Sequence, residues 1–177
     1  MKVIGIAFSD LHLGEYSKFN EDNKRTLNHI RVLYLIKDLC IKYKCPAFFC
    51  GDFMHRPEFI STSLDEIIIE QFEELNRCEE FNIYGISGNH CMPKANTIEH
   101  RSPSHWANLC RRYSFLHNID FSYHDFGKFR VVGIPYIDHN NGLDGLIKSE
   151  LKGAMLKPTI LLLHTDYPGA KDTDNTE

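Results

Sequence analysis

The sequence predicts an α/β protein of layered, mixed sheets, and three observations predict it. Short apolar runs alternate with amphipathic stretches of helical period along most of the 177 residues. Two runs meet at Gly127-Lys128 with hairpin character, which adds an antiparallel portion. Four of the runs end in a loop that opens with polar, metal-ligating residue types.

The elements follow in order. Lys2 to Phe8 (KVIGIAF) is a buried-strand pattern that breaks at Ser9-Asp10. Leu27, Ile30, Leu33, Ile36, Leu39, Cys40 and Tyr43 recur at three- and four-residue steps, one face of a helix. Pro46 to Cys50 reads as a second strand, ending at Gly51-Asp52. Ser63 and Glu66 form a capping box, which opens a helix through Leu64, Ile67, Ile68, Phe72 and Leu75. Phe81 to Ile86 is a third strand, ending at Ser87-Gly88-Asn89-His90. Pro93 and Pro103 interrupt the middle, and a helix covers His105 to Arg112. Ser122 to Tyr136 is the hairpin, Leu143 to Met155 a helix, and Thr159 to Leu163 the last strand. No linker divides the chain, so residues 1–177 read as one domain.

Hydrophobic residues make up 42% and charged residues 25%, an ordinary globular composition that excludes a disordered chain. The net charge of −4 shows none of the basic excess of many nucleic-acid binders. Bound cations or a partner subunit can supply that field instead. The six cysteines form no C-x-x-C pair and read as buried, reduced thiols of a cytoplasmic protein. The N-terminus is too short in apolar residues for a signal peptide, and no stretch approaches the ~20 apolar residues of a membrane span.

The polar residues at the strand ends carry the chemistry: FSDLH, FCGDF, ISGNH and LLLHT. In open α/β sheets, sites form beyond the carboxyl ends of strands. Asp10, His12, Asp52, Asn89, His90 and His164 can therefore converge although distant in sequence. Carboxylates, an amide oxygen and imidazoles suit Mn²⁺, Fe²⁺ or Zn²⁺ better than a thiolate-preferring ion. Asp10 and Asp52 could flank two cations ~3.5–4 Å apart. Each piece alone is weak: a strand-end Asp is often a turn residue, and a lone histidine is often structural. The joint order D-x-H, G-D, G-N-H, H is what persuades.

That order resembles the metallophosphoesterase (calcineurin-like) superfamily, over the chain from its first residue to His164. Within it the chain looks most like the SbcD-type DNA exonucleases of double-strand-break repair, which have phage relatives. GDFMHRP resembles their second motif, VVGIPY their central strand ending in Pro-Tyr, and ILLLHTDYPGA the strand of their fourth ligand motif. The resemblance implies an α/β/β/α fold and metal-dependent phosphodiester hydrolysis of DNA. It implies two divalent metal ions, Mn²⁺ first, with Mg²⁺, Fe²⁺ and Zn²⁺ as alternatives. Asp10 and His12 would hold the first metal, Asp52 would bridge, and Asn89 and His164 would hold the second. His90 would serve the leaving oxygen without binding metal, and His55 would contact the substrate phosphate or the leaving group. DNA and an SMC-like ATPase subunit are the implied partners, a homodimer is allowed, and no membrane is involved. The implied compartment is the cytoplasm, that of the host cell for a phage protein.

Two departures accompany the likeness. The family's acid after G-N-H is Cys91 here, a weak hydrogen-bond partner. No G-H-x-H motif follows His164. The chain is therefore expected to be part of a longer one, incomplete at the C-terminus, binding Mn²⁺ weakly and hydrolysing little alone. Two rival functions remain: a phosphoesterase for a small nucleotide or phosphoprotein, and a non-catalytic scaffold of the same fold. His55 could also be an ordinary loop histidine beside Pro57. His29, His100, His117, His124 and His139 read as surface or core histidines. Lys94, Arg101, Trp106, Arg111 and Arg112 read as a solvated helix face rather than a DNA contact.

Overall fold

The computed structural model describes residues 2–14, 24–55, 61–91, 104–137, 143–151 and 157–164. The chain runs β1 (Ile6–Phe8), α1 (Lys24–Tyr43), β2 (Ala47–Phe49), α2 (Thr62–Asn76), β3 (Ile83–Gly85), α3 (His105–Arg112), β4 (Leu116–Asn118), β5 (Ser122–Asp125), β6 (Arg130–Ile134), α4 (Leu143–Leu151) and β7 (Thr159–Leu163). A 3₁₀ turn, Asn89–Cys91, lies between β3 and α3.

Strands β1 to β4 form a parallel sheet in chain order. Ile6 pairs with Ala47, Ala47 with Ile83, and Ile83 with Leu116, so the strands start and end level. Parallel neighbours need long crossovers, which α1, α2 and α3 occupy. The loops after β1, β2 and β3 consequently leave from one edge. The second sheet has the order β5-β6-β7, with β5 and β6 antiparallel and β6 and β7 parallel. The Ile134–Leu163 pair ends that sheet, with His164 the next residue.

Successive side chains of a strand face opposite ways, and β2 uses both faces. Ala47 and Phe49 join the main core, with Leu33, Ile36, Leu64, Phe72 and Trp106 from the three helices. Phe48, between them, packs with Ile86, Ile119, Val131 and Leu162, where the sheets meet. A third cluster, around Ile134, Ile137 and Leu143, seats α4 against the second sheet. Burial of one such large side chain contributes about 1.5–3 kcal/mol.

The mixed α/β organisation is as predicted, with corrections in detail. The cap of α2 is Ser61, not Ser63: its hydroxyl accepts from the Leu64 N–H at 3.3 Å, with Ser61 extended at φ −69° and ψ 156°. Strand β4 was not predicted. Trp106 is not on a solvated face. It is fully buried, and its Nε1–H donates to the Gly85 carbonyl at 3.0 Å. Arg111 and Arg112 are exposed, as expected. All six cysteines are free, but only Cys40, Cys45 and Cys91 are fully buried. Lys94, His100, Arg101, His139 and residues 152–156 lie outside the described residues. Among the described residues, no helix is long and apolar enough to cross a membrane.

Candidate metal centre

The first two loops are zipped together beyond the ends of their strands. Asp10 N–H donates to the Gly51 carbonyl at 3.0 Å, His12 N–H to Asp52 at 2.9 Å, and Leu13 N–H to Phe53 at 2.8 Å. His55 N–H returns a bond to Leu13 at 2.8 Å. Within this zipper the backbone is left-handed at Asp10 (φ 55°), His12 (φ 46°) and Asp52 (φ 62°). Non-glycine residues seldom adopt that conformation, at a cost of order 1–3 kcal/mol each. Strain thus sits on three expected ligands, and the main-chain bonds hold it in place.

Asp52 lies at the base of the site. Its side chain is 4% exposed, against 18% for His164, 26% for His12, 37% for His90 and 57% for Asp10. Its Oδ2 lies 3.8 Å from His12 Nε2, 4.0 Å from His90 Nε2 and 3.5 Å from His164 Nε2. On one side Asp10 Oδ1 is 3.6 Å from His12 Nε2. On the other Asn89 Oδ1 is 3.0 Å from His164 Nε2. Of the seven residues expected in the site, the other six therefore gather around the Asp52 carboxylate, His55 through His12 and His90. Gly88 packs directly on it: a Cβ there would collide with Asp52 Oδ1 and its main-chain nitrogen. A Cβ on Gly51 would come within 2.5 Å of His164 Nδ1. Beside His164 opens a cleft of about 380 Å³ lined by Asp10, Asn89 and Tyr136.

The donor set fits divalent cations. Asp10, His12 and Asp52 each offer an atom within 4.8 Å of the others, and so do His12, His55 and His90. His164 Nδ1 lies 2.8 Å from the Cys50 carbonyl, which can only accept. Nδ1 is therefore the protonated nitrogen and Nε2 the one turned to Asp52 and Asn89. A carbonyl that accepts from the far nitrogen is the usual way a metal-ligating imidazole is oriented. Burial pushes the Asp52 carboxyl up, but the His164 ring and the His90 N–H bonded to it bring it below the ordinary carboxylate value. Burial likewise lowers His164, and the Asp52 carboxylate overrides this and raises it.

The absence of an acid after His90 is met by the main chain. His90 Nδ1 lies 2.9 Å from the His55 carbonyl, which fixes the ring with Nε2 toward Asp52. Burial raises the Cys91 thiol, and its sulfur takes hydrogen bonds from the main-chain N–H groups of Met54 and Phe53. Cys91 thus braces the Asp52 loop and leaves the His90 ring to His55.

Sequence reasoning missed the support under Gly88. Asp120 accepts from Ser87 N–H at 2.8 Å and from Ser87 Oγ–H at 2.6 Å. Ser87 Oγ also bonds to Ser104 Oγ, which caps α3 through Ala107 N–H at 3.0 Å. Tyr136 N–H holds the Ser87 carbonyl at 2.9 Å. The only signal was an acid, Asp120, two residues after the unpredicted strand β4.

No protein-family model matches the chain, and no curated protein matches it.

Proposed function

We propose that this chain is the catalytic part of a two-metal phosphodiesterase that acts on DNA, with the α/β/β/α layering of the metallophosphoesterases. One observation carries the reading: a single buried carboxylate, Asp52, within 4.0 Å of three imidazole nitrogens from three different strand-end loops. Asp10, His12 and Asp52 would hold one cation, and Asp52, Asn89 and His164 the other. Two such cations supply a hydroxide near neutral pH and neutralise the phosphate. Asp52, kept ionised by its neighbours, is the charge common to both. His90 presents Nε2 to the leaving oxygen, its ring fixed by the His55 carbonyl. His55 stands beside it, its ring stacked at 5.5 Å, where it can contact the phosphate. A cytoplasmic setting and an ATPase partner belong to the same proposal.

The test is a Mn²⁺ titration with DNA hydrolysis as readout, run on the chain alone and on the chain extended by a G-H-x-H segment. Hydrolysis that needs Mn²⁺ and stops in EDTA or in Asp52→Asn is expected. Equal hydrolysis in EDTA contradicts the proposal. Hydrolysis of mononucleotides but not of DNA would move it to the small-substrate alternative.

A further inference from the structure

His12, His55 and His90 form a cluster of a different character from the rest of the centre. One nitrogen from each lies within 4.8 Å of the others. The His12 and His90 rings meet edge to face at 4.8 Å, and the His55 ring lies 5.6 Å from His12 and 5.5 Å from His90. His12 Nδ1 is buried, and Nε2 is the nitrogen turned to Asp10 and Asp52. His90 Nδ1 is engaged by the His55 carbonyl, so its Nε2 is again the available atom. The three rings are each half-buried.

We infer that His12, His55 and His90 make an all-imidazole site for Zn²⁺ or a similar borderline ion, and that this site excludes the catalytic cation at His12. Tetrahedral zinc with bonds of 2.0–2.1 Å needs nitrogens about 3.3 Å apart, so nitrogens within 4.8 Å of one another must close by at most about 1.5 Å. Three neutral nitrogens and no obligatory carboxylate select Zn²⁺, Cu²⁺ or Ni²⁺ over Mn²⁺ and Mg²⁺. The fourth position falls to water or to Asp52, whose Oδ2 lies 3.8 Å from His12 Nε2 and 4.0 Å from His90 Nε2. His12 Nε2 also faces Asp10 at 3.6 Å, and one lone pair binds one cation. Filling the imidazole site therefore takes a ligand from the Asp10 set and occupies His90. The inhibitory consequence rests on the function proposed above; the binding itself does not.

Co²⁺ is the probe, because a tetrahedral nitrogen-rich site absorbs strongly in the visible and an octahedral oxygen-rich one weakly. The full chain is titrated with Co²⁺, then with Zn²⁺ as competitor, and free Mn²⁺ is followed by electron paramagnetic resonance. Strong tetrahedral bands displaced by Zn²⁺ are expected, together with Zn²⁺ expelling Mn²⁺. His55→Gln and His90→Gln should each weaken the tetrahedral site at least about 10-fold and keep Mn²⁺ binding, with melting curves confirming the fold. Asn89→Ala should leave the bands unchanged. No tetrahedral band in the wild type, or bands that survive both histidine variants, overturns the inference. These readouts need no substrate. Bands in the chain, with no cleavage by the extended, Zn²⁺-free protein in Mn²⁺, refute the function and keep the site, and the converse result refutes the site alone.

Discussion

Asp10 and His12 reach Asp52 from a neighbouring loop of the same sheet, whereas His164 reaches it from the other sheet. The first half is local. It is held by four main-chain bonds between the loops after β1 and β2, and by left-handed backbone at Asp10, His12 and Asp52. The second half is long-range. His164 is anchored by the Cys50 carbonyl at 2.8 Å, and it reaches that position only if the Phe48, Ile86, Val131 and Leu162 cluster holds the sheets together. One half thus depends on strained turns and the other on the packing of two sheets. They should fail separately, except at Asp52, which both share.

The largest effect is expected at that shared point. Asp52→Asn keeps the shape and removes the charge, so affinity should fall at least about 10-fold at both cation positions and hydrolysis should vanish. Calorimetric Mn²⁺ titration beside a DNA cleavage assay checks this. If only one cation is lost, Asp52 is not shared.

His90 stands near the first half without belonging to it. His90→Ala should retain Mn²⁺ at both positions and lose about 10²–10⁴-fold in hydrolysis, the usual worth of a positioned acid. Loss of Mn²⁺ occupancy would make His90 a ligand of the catalytic pair.

The sheet interface separates the halves directly. Leu162→Ala and Leu33→Ala should each cost about 2–5 kcal/mol by denaturant unfolding. Leu162 lies between the sheets and Leu33 on the helix side. Only Leu162→Ala should reduce the Mn²⁺ stoichiometry from two toward one in the folded protein. Equal behaviour of the two variants would show that the halves are not separately anchored.

The four ligand-bearing loops were legible in the sequence because each follows an apolar strand and together they carry ligand types in the order D-x-H, G-D, G-N-H, H. What was hidden has physical reasons. Strand β4, Leu116–Asn118, has a buried, a half-buried and an exposed residue, too short a pattern for periodicity to show. Asp120 was hidden with it, since its meaning depends on where that strand leads. Ser61 and Ser63 offer the same capping chemistry two residues apart, and only the backbone at Ser61 chooses between them. The orientation of His90 depends on the His55 main-chain carbonyl, a group every residue carries and no sequence advertises.

The smallest effect concerns Asp120, under the turn that feeds both halves through Asn89 and His90. Burial raises its carboxyl above the ordinary value of 3.8, only partly countered by the Ser87 hydrogen bonds. The folded state therefore binds this proton more tightly than the unfolded one. Its contribution to stability is complete below that ordinary value and is lost as pH rises through the folded value. Asp120→Asn stays uncharged throughout, so the wild-type-minus-variant difference in urea midpoints should carry this limb and fall as pH rises above the ordinary carboxyl value of 3.8. A difference that stays flat with pH would show that Asp120 is not so raised.

The sharing of Asp52 is tested most directly by anomalous diffraction from crystals of the chain soaked in Mn²⁺. Two peaks about 3.5–4 Å apart are expected, one beside Asp10 and His12, the other beside Asn89 and His164, with the Asp52 carboxylate contacting both. A single peak, or a pair of which either fails to touch Asp52, would contradict the account.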